Sequence, residues 1–576
     1  GIDKQIERIA INPLRLRDWS LKSCYQDDRD VTNFALMASF RTSRRNLLIG
    51  GAAAVATQSL LAACGKGPKP SAQEKNGGGD SGRKSKVQAV VIGSGFGGAI
   101  AAHRLGEKGI ETLVLERGRR WTTGPSQDTF CTNEKPDGRA GWLTDKAPIF
   151  KPVKIEKETG MIETLNEDGI TVWTSSGVGG GSLVYNSVLL QPSEKNFQRT
   201  FPKDVSYDEM NKEYYPRVVE LMEAGPIPDD VLNSSYYKNA RLANALIQAA
   251  GVPSSRVNVA TNWHIVRKEI NGMLNPSAIA GEIWYGANSG YKNSLDKNYL
   301  KYAEESGRVS IEEHANVTDI AEDGDGFVVT YNKIDTKGRV LDTYRVKTDK
   351  VFFGAGSMGT TSLLVRAKHK GTLPKLNNEI GQHWGNNGDT FAVFAAGEDT
   401  NYKQGGPAHI LGADYEENPY GPQSMIAFPM WVSPKDSITF LGMSITDQSG
   451  YWDYDEKAEK AVLHWDGKSQ AMKDLVAGME YTCAKFDAVR DANPAKRNAI
   501  PEAMRKTKAD ASATAHPCGG AVMGKACDLY GRVKGYKGLY VTDAAFIPLC
   551  TAATNPALTI AAFAERSMDH VIKNDF

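Results

Sequence analysis

A histidine near the C-terminus stands among residues that often serve chemistry, in the stretch ATAHPCGG at positions 513–520. Because the ordinary pKa of imidazole lies near neutrality, His516 could accept and relay a proton. Two cysteine interpretations compete with this one: Cys518 as a nucleophile, and a zinc site through Cys518 and Cys527. No C-x-x-C pair supports either cysteine interpretation. The fourth interpretation is that His516 only packs in a buried turn.

A strand–helix–strand unit is predicted at residues 86–118. Residues 87–92 form a β-branched apolar run, which is typical of a buried parallel strand. Residues 99–105 predict the helix that follows, and residues 111–115 predict a second strand that ends at Glu116. Strand, glycines, helix, strand and acid in this order are typical of a dinucleotide-binding domain.

Three glycines and one acid give this unit its predicted chemistry. Gly93, Gly95 and Gly98 make the pattern G-x-G-x-x-G. We expect the first to permit a tight turn, the second to let pyrophosphate approach the helix N-terminus, and the third to let helix and strand pack. Glu116 is expected to accept hydrogen bonds from an adenosine ribose, and its charge disfavours the 2′-phosphate of NADP.

The same glycine spacing occurs again at Gly354, Gly356 and Gly359, after another apolar run. No strand that ends in an acid follows it, so we interpret it as a packing turn within the same nucleotide domain. The first motif alone does not distinguish FAD from NAD.

The C-terminal region predicts a further contact with a dinucleotide. Residues 538–542 predict a strand that ends at Asp543, and a helix is predicted after Asn555, with Pro556 in its favourable first turn. This unit suits a long dinucleotide whose second half is held by distant sequence.

Composition is that of an ordinary globular protein, with 576 residues, 41% hydrophobic and 24% charged. The net charge is +1 and there is no basic run, so the sequence gives no footprint for nucleic acid. No metal-ligand spacing links the other histidines that we considered, and packing or surface roles are expected for them. They are His103, His314, His383 and His464.

The N-terminal segment predicts export rather than part of the fold. In residues 37–64, Arg44 and Arg45 precede a Gly- and Ala-rich apolar stretch, which is typical of a twin-arginine signal. The stretch ends like a lipobox, so Cys64 is expected to carry a lipid that anchors an exported bacterial protein in the periplasm or at the cell surface. A transmembrane anchor is the alternative, although the run is short for a span. Residues 1–36 are interpreted as upstream sequence, and residues 65–85 as a flexible linker.

Six stretches together resemble the glucose–methanol–choline (GMC) oxidoreductases and, within them, the bacterial cholesterol oxidases that hold FAD non-covalently. The resemblance runs from residue 86 to the end, is weakest in residues 389–510, and implies FAD as the cofactor. The stretches that carry it are residues 90–118, 177–186, 285–300, 351–388, 516–548 and 554–566.

The resemblance implies an α/β fold in two domains. A Rossmann-like FAD-binding domain would be assembled from residues 86–190, 300–388 and 511–576. A substrate-binding domain, from residues 191–299 and 389–510, would carry a mixed or antiparallel sheet that roofs the flavin and shapes the substrate cavity.

The resemblance also implies which residues hold FAD. They are Phe96, Gly97 and Glu116 at the ADP half, Val317 at the adenine, Gly181 and Asn186 at the isoalloxazine, and Asp543 and Ala544 at the ribityl chain. Because Tyr185 stands before Asn186, the choice between these two as the flavin contact stays open.

His516 and Asn555 match the residues that complete the catalytic site of the family. His516 would face the substrate hydroxyl and accept or relay its proton. Asn555 would donate a hydrogen bond to the flavin edge or to the alcohol oxygen. Gly519 and Gly520 are expected to let the backbone approach the flavin ring.

One residue expected from the resemblance is missing. Cholesterol oxidases of this type share a glutamate that shifts the double bond after oxidation, and Met425 or Ala427 falls at its place. Since a general base contributes roughly 10²–10⁴ in rate, we expect isomerisation to be weak or absent. The apolar residues of this segment either line a cavity or belong to a core; they are Met425, Phe428, Met430 and Trp431.

The leading functional hypothesis is an exported FAD-dependent oxidoreductase that oxidises a bulky apolar secondary alcohol, most simply a 3β-hydroxysteroid such as cholesterol. The same chemistry on a sugar or another non-steroid alcohol is the second hypothesis. A flavin-binding lipoprotein without turnover is the third. The sequence leaves open whether O₂ or an envelope quinone or cytochrome accepts the electrons.

Overall fold

The computed structural model describes residues 85–149 and 153–576. The predicted signal, the predicted lipid site at Cys64 and residues 65–84 of the predicted linker lie outside the described residues, so these predictions stay predictions. Within the described part of the chain, no helix combines the length and the apolar character needed to cross a membrane.

The described part of the chain contains both strands and helices. The strands are β1 (Lys86–Ile92), β2 (Thr112–Leu115), β3 (Ile162–Glu167), β4 (Ile170–Ser175), β5 (Val188–Leu189), β6 (Ser254–Arg256), β7 (Asn258–Val259), β8 (Val309–Glu312), β9 (Ala315–Asp323), β10 (Gly326–Ile334), β11 (Val340–Phe353), β12 (Thr390–Ala395), β13 (Ile410–Asp414), β14 (Gln423–Phe428), β15 (Ser437–Ser444), β16 (Tyr451–Asp455), β17 (Lys460–His464), β18 (Ala509–Asp510), β19 (Ala513–Thr514) and β20 (Leu539–Val541). The helices are α1 (Phe96–Glu107), α2 (Glu194–Thr200), α3 (Tyr207–Glu209), α4 (Tyr215–Leu221), α5 (Asp229–Leu232), α6 (Lys238–Ala249), α7 (Trp263–Ile270), α8 (Tyr299–Glu305), α9 (Gly356–Lys370), α10 (Gln470–Asp491), α11 (Pro494–Asn498) and α12 (Pro556–Asp575).

The first sheet carries the glycine-rich turns. Its order is β8-β2-β1-β11-β10-β9, with β20 beside β11. The strands from β8 to β11 and β20 run parallel, whereas β11, β10 and β9 are antiparallel. Five of the seven residues of β1 are apolar, which suits a strand with parallel neighbours on both edges and helix α1 packed against it. The predicted strand–helix–strand unit is therefore confirmed, and its helix begins at Phe96, three residues before the predicted start.

The second sheet is antiparallel throughout, in the order β18-β12-β15-β14-β13-β6. Helices α6 and α10 pack against it. Side chains alternate between the two faces of a strand, so each strand gives one set to this helical core and another to the opposite face. The α/β fold with a Rossmann-like domain and a second sheet is thus confirmed, whereas the predicted domain boundaries stay a prediction.

A small third sheet, β19-β4-β3, leads into the segment that carries His516. β19 pairs in parallel with β4, Ala513 opposite Thr171 and Thr514 opposite Val172. His516 follows two residues later. Helix α12 begins at Pro556 with Asn555 as its N-cap residue, as predicted.

Candidate active site

A cavity of about 570 Å³ lies at the C-terminal ends of the parallel strands, where they meet the second sheet. Ile92, Leu115 and Gly354 stand in its wall at or just beyond the ends of β1, β2 and β11. Ligands of open α/β sheets bind at this edge because the loops that follow the strands converge there. The volume falls in the range of small-molecule and cofactor sites.

The first glycine turn forms one wall of this cavity. Gly93 has φ of +88°, and a Cβ on Gly98 would lie 2.1 Å from the Gly93 carbonyl oxygen. A Cβ on Gly95 would meet only one atom, at 3.8 Å. Helix α1 begins without a capping side chain, and Gly95, Phe96 and Gly97 face the cavity, so the turn leaves room for an anionic group at the helix N-terminus.

The second glycine turn packs against the first. A Cβ on Gly354 would lie 2.5 Å from the Cα of Gly98, so the two backbones touch directly. β11, which leads into this turn, pairs with β1 in the same sheet. This contact agrees with the interpretation of the second motif as a packing turn, although Gly354 and Gly356 also line the cavity.

Glu116 is buried at the end of β2, and protein donors surround its carboxylate. Oε2 accepts hydrogen bonds from the backbone N–H of Ser94 at 3.1 Å and from its hydroxyl at 2.6 Å. Oε1 accepts from the N–H groups of Gly118 at 2.8 Å and Gly177 at 3.1 Å. The carboxylate thus fixes the glycine turn in place, and its predicted contact with a ribose stays a prediction.

Asp543 lies after β20, in the opposite wall. Its carboxylate accepts hydrogen bonds from the N–H of Gly356 at 2.8 Å, the hydroxyl of Thr360 at 2.5 Å and the N–H of Ala545 at 2.9 Å. Burial nevertheless raises the pKa of Asp543 to about 6. Asp543 and Ala544 both line the cavity, and their predicted contact with the cofactor stays a prediction.

The residues predicted at the isoalloxazine also line the cavity. A Cβ on Gly181 would have no heavy atom within 4 Å. Tyr185 packs edge-on against Phe96, with ring centroids 5.6 Å apart. Asn186 accepts a hydrogen bond from the N–H of Ala408 at 3.2 Å. Tyr185 and Asn186 both stand in the wall, as does Val317 from β9, so the choice between the first two stays open.

His516 faces the cavity and is held by a carboxylate. Its Nδ1 lies 2.9 Å from Oδ1 of Asp389, which is completely buried. Oδ2 of Asp389 accepts from the hydroxyl of Thr514 at 2.7 Å, and that hydroxyl oxygen accepts from the N–H of His516 at 2.9 Å. An ionised Asp389 keeps the proton on Nδ1, which leaves Nε2 as the base.

Sequence reasoning missed Asp389. The only local signal is the stretch GNNGD directly before β12, in which several polar residues precede an apolar strand. Asp389 directly precedes β12, and Phe391 is the second residue of that strand. Both line the cavity.

Asn555 supplies a second polar group in the wall. The residue is 7% exposed, and its Oδ1 is buried without a hydrogen-bond partner among the described residues. Although Asn555 is the N-cap residue of α12, its side chain does not cap the helix. A buried unpaired amide oxygen calls for a bound group. Together with the open space at Gly95 and Gly181, this atom fits a cavity that holds a long dinucleotide.

The second sheet lines the rest of the cavity with apolar side chains. Leu441 of β15 stands between Phe391 and Ile426 in the register of the sheet, and Phe428 follows on the same face of β14. Trp284 completes this wall, and its ring centroid lies 6.0 Å from that of Phe428. The wall therefore suits a bulky apolar ligand.

The predicted position of the missing acid needs a correction. Met425 and Ala427 point into the core shared with α6 and α10, not into the cavity, because alternate residues of β14 face opposite sides. Ile426 and Phe428 are the residues of β14 that line the cavity. Of the other apolar residues in this segment, Met430 is buried in a core, and Trp431 donates its indole N–H to the carbonyl of Ala280 at 3.1 Å.

The predicted role of Gly519 and Gly520 is wrong, because neither residue lines the cavity. A Cβ on Gly519 would lie 2.0 Å from the carbonyl oxygen of His383, and one on Gly520 would lie 2.0 Å from the hydroxyl oxygen of Thr361. Both glycines have positive φ, 84° and 107°. They thus allow close packing against protein atoms rather than against a ligand.

The cysteine interpretations find no support in the described residues. Cys518 and Cys527 are buried, and burial raises the pKa of both thiols. Such thiols are poor nucleophiles, because the thiolate is the reactive form. Residues 85–149 and 153–576 contain no group of three His, Cys, Asp or Glu side chains that could hold a metal ion.

The four other histidines considered in the sequence contact neighbouring side chains. The contacts are His103 with Tyr299, His314 with Thr159, His383 with Glu379 and His464 with Tyr451. The cavity wall contains none of these four histidines.

The sequence is similar to family profiles and to known proteins. Two profiles described as GMC oxidoreductase match residues 111–382 and 450–564, and one described as an NAD(P)-binding Rossmann-like domain matches residues 91–129. The chain is similar to the cholesterol oxidase of Acinetobacter baumannii, with 25% identity over 84% of this chain and 94% of that protein. A cholesterol oxidase of Mycobacterium tuberculosis (strain CDC 1551 / Oshkosh) is 24% identical over 84% of this chain and 91% of that protein.

Solved structures share the fold at lower sequence identity. A fungal aryl-alcohol oxidase has a TM-score of 0.58 and 13% identity over 85% of this chain and 99% of its own. Pyridoxine 4-oxidase from Mesorbium loti has a TM-score of 0.55 and 15% identity over 84% of this chain and 99% of its own.

Proposed function

The chain belongs to the GMC oxidoreductase family and its cofactor is FAD, and from this we propose that it oxidises a secondary alcohol, with a 3β-hydroxysteroid such as cholesterol as substrate. The observation that carries the proposal is the His516–Asp389 pair, which opens onto an apolar wall built by the second sheet. The similarity to cholesterol oxidases over most of the chain supports the steroid.

The wall residues fit FAD by their chemistry. Gly95 and Phe96 at the start of α1 would hold the pyrophosphate through backbone N–H groups. Glu116 would hold the ribose, and Gly181 with Asn555 would lie against the ring system. FAD, when bound, supplies the acceptor for the hydride that leaves the alcohol carbon.

The protein's own part in the reaction is proton transfer and orientation. Because Asp389 holds Nδ1 of His516, the Nε2 atom is the acceptor for the proton of the substrate hydroxyl. The buried amide of Asn555 can orient the alcohol oxygen by donating a hydrogen bond to it. Phe428 and Leu441 exclude water and bury the apolar body of the substrate.

Anaerobic reduction of the bound flavin tests this proposal. We would add cholesterol, then glucose and small alcohols, to the FAD-loaded protein and follow loss of flavin absorbance. Bleaching by the steroid is expected. His516→Ala should slow it roughly 10²–10⁴-fold at unchanged flavin content. His464→Ala is the matched control, because His464 stacks on Tyr451 away from the cavity.

The other outcomes decide between the alternatives. Bleaching by sugars or small alcohols but not by the steroid would overturn the steroid substrate and keep alcohol oxidation. A flavin that none of these alcohols reduces would favour a flavin-binding protein without turnover. The apolar wall argues against the sugar.

A further inference from the structure

A buried asparagine lies between the two predicted catalytic residues. Asn387 is 0% exposed and adopts φ of +62°, a left-handed conformation that asparagine tolerates better than most residues. It precedes Asp389 by two positions in the segment that leads into β12. Neither the sequence motifs nor the proposed reaction assigns it a role.

The Asn387 amide uses its full hydrogen-bonding capacity on two segments. Oδ1 accepts from the backbone N–H of Thr551 at 2.8 Å and from its hydroxyl at 2.9 Å. Nδ2 donates to the carbonyl of Thr554 at 2.9 Å and to Oδ1 of Asp389 at 3.4 Å. An amide offers two acceptor and two donor positions, and here all four are used.

The segment to which Asn387 is hydrogen-bonded is a strained loop that leads directly to Asn555. Leu549, Ala552 and Ala553 all have positive φ, at 54°, 62° and 62°. Non-glycine residues adopt this conformation at a cost, so the loop keeps its shape only where other groups hold it. The hydroxyl of Ser424 supplies one such tie, to the carbonyl of Ala553 at 2.8 Å.

Oδ1 of Asp389 accepts a hydrogen bond from Nδ2 of Asn387 and another from Nδ1 of His516. A single amide therefore contacts the histidine's carboxylate and the carbonyl of the residue before Asn555. Such connected networks place polar groups more tightly than separate bonds do.

We propose that Asn387 is a positioning residue that keeps Asn555 in register with the Asp389–His516 pair. The inference rests on the proposed alcohol oxidation. Its physical basis is that misplacement of reacting groups by about 1 Å can cost 10²-fold in rate.

A double-mutant cycle tests whether the two catalytic groups are coupled through this residue. Asn387→Gly removes the amide without strain, because glycine adopts positive φ freely. In the FAD-loaded protein we expect anaerobic flavin reduction to fall about 10- to 100-fold. In the Asn555→Ala background the same change should lower the rate of flavin reduction about threefold or less, because there is no Asn555 side chain left to position.

A second pair of variants guards against simple loss of folding. Asn387→Asp keeps the acceptor for Thr551 and loses both Nδ2 donors, the one to Thr554 and the one to Asp389. Asn418→Asp is its matched control, because Asn418 is buried, accepts from one N–H, and donates to the carbonyl of Gly478 at 2.8 Å outside the cavity. We expect Asn387→Asp to slow flavin reduction about tenfold or more and Asn418→Asp to leave the rate unaltered. The two variants should have equal thermal stability.

Hydrogen exchange gives a readout that does not depend on turnover. The amide of Thr551 should exchange faster in Asn387→Gly and stay protected in Asn387→Asp, as measured on a peptide spanning residues 549–555. Equal losses in the wild-type and Asn555→Ala backgrounds, or unchanged exchange in Asn387→Gly, would overturn the positioning role. Failure of the proposed function is distinct, because the wild-type flavin would then be reduced by no alcohol while the exchange result still stands.

Discussion

The carboxylate of Asp389 accepts a hydrogen bond from Nδ1 of His516 at 2.9 Å, although 127 positions separate the two residues. Thr514 closes a ring with them, since its hydroxyl donates to the carboxylate and accepts from the His516 backbone. The carboxylate is fully buried, so its charge acts on the imidazole with little screening by water. Asp389 thereby sets both the orientation and the tautomer of the histidine.

Asp389→Asn should therefore slow flavin reduction by about 10²–10⁴-fold at normal flavin content. An amide of the same shape can donate a hydrogen bond to Nδ1, which would place the proton on Nε2 and remove the base. Anaerobic stopped-flow measurement of flavin bleaching checks this. Thr514→Val is the control. It removes the hydroxyl that donates to Asp389 and accepts from the His516 backbone N–H, but it leaves the bond between Asp389 and Nδ1, so we expect less than about tenfold loss. A wild-type rate for Asp389→Asn would show that the pair is only structural.

Substitutions at two glycines of the first turn should distinguish a loss of cofactor binding from a loss of stability. Gly95→Ala is expected to fold normally and to bind FAD much more weakly, because its Cβ would meet protein only at 3.8 Å and Gly95 lines the cavity. Gly98→Ala should destabilise the protein itself, because its Cβ would lie 2.1 Å from the carbonyl oxygen of Gly93. Thermal unfolding and flavin content of both variants check this. Equal stability of the two variants would contradict it.

The sequence predicted the strand–helix–strand unit of the first sheet because the information for this unit is local. In residues 86–116, strand, turn, helix and acid follow one another directly, so periodicity and the glycine spacing suffice. Asp389 escaped prediction because its partner lies on a separate segment, and only the fold of the second sheet brings the two together.

The errors at β14 and at the C-terminal glycines also have physical causes. All six residues of β14 are buried, so no alternation of polar and apolar residues marks the face that meets the cavity. At Gly519 the sequence signals a close approach, but not that the approaching atom belongs to His383 rather than to a ligand. Such information resides in tertiary packing.

Glu282 should make stability fall as pH rises. Burial raises the pKa of its carboxyl to about 7, although it accepts a hydrogen bond from the N–H of Asn133 at 2.9 Å. A raised folded-state pKa gives stability that is complete below the unfolded-state pKa, near 4.5, and is lost as pH passes 7. Glu282→Gln removes the ionisation, so wild type should lose about 3 kcal/mol relative to the variant between pH 4.5 and 8.

Urea unfolding at these two pH values measures the effect of Glu282. Exposed Glu502→Gln is the control and should show no such trend. A difference between wild type and Glu282→Gln that stays constant with pH would mean that Glu282 titrates alike in the folded and unfolded chain.

The product of steroid oxidation should keep its double bond in place. β14 turns Ile426 and Phe428 toward the cavity, neither of which can move a proton between ring carbons. Asp389 faces the cavity too, but its two oxygens are bonded to His516 and Thr514. With a 5-ene 3β-hydroxysteroid we therefore expect the 5-en-3-one to accumulate, and the 4-en-3-one to form no faster than it does in buffer. Chromatography of the quenched reaction at early times distinguishes the two ketones. Rapid conversion of added 5-en-3-one to the 4-en-3-one by wild type would contradict this. If that conversion, which does not depend on prior oxidation, is lost in His516→Gln, the histidine carries both proton transfers, since a general base contributes roughly 10²–10⁴ in rate.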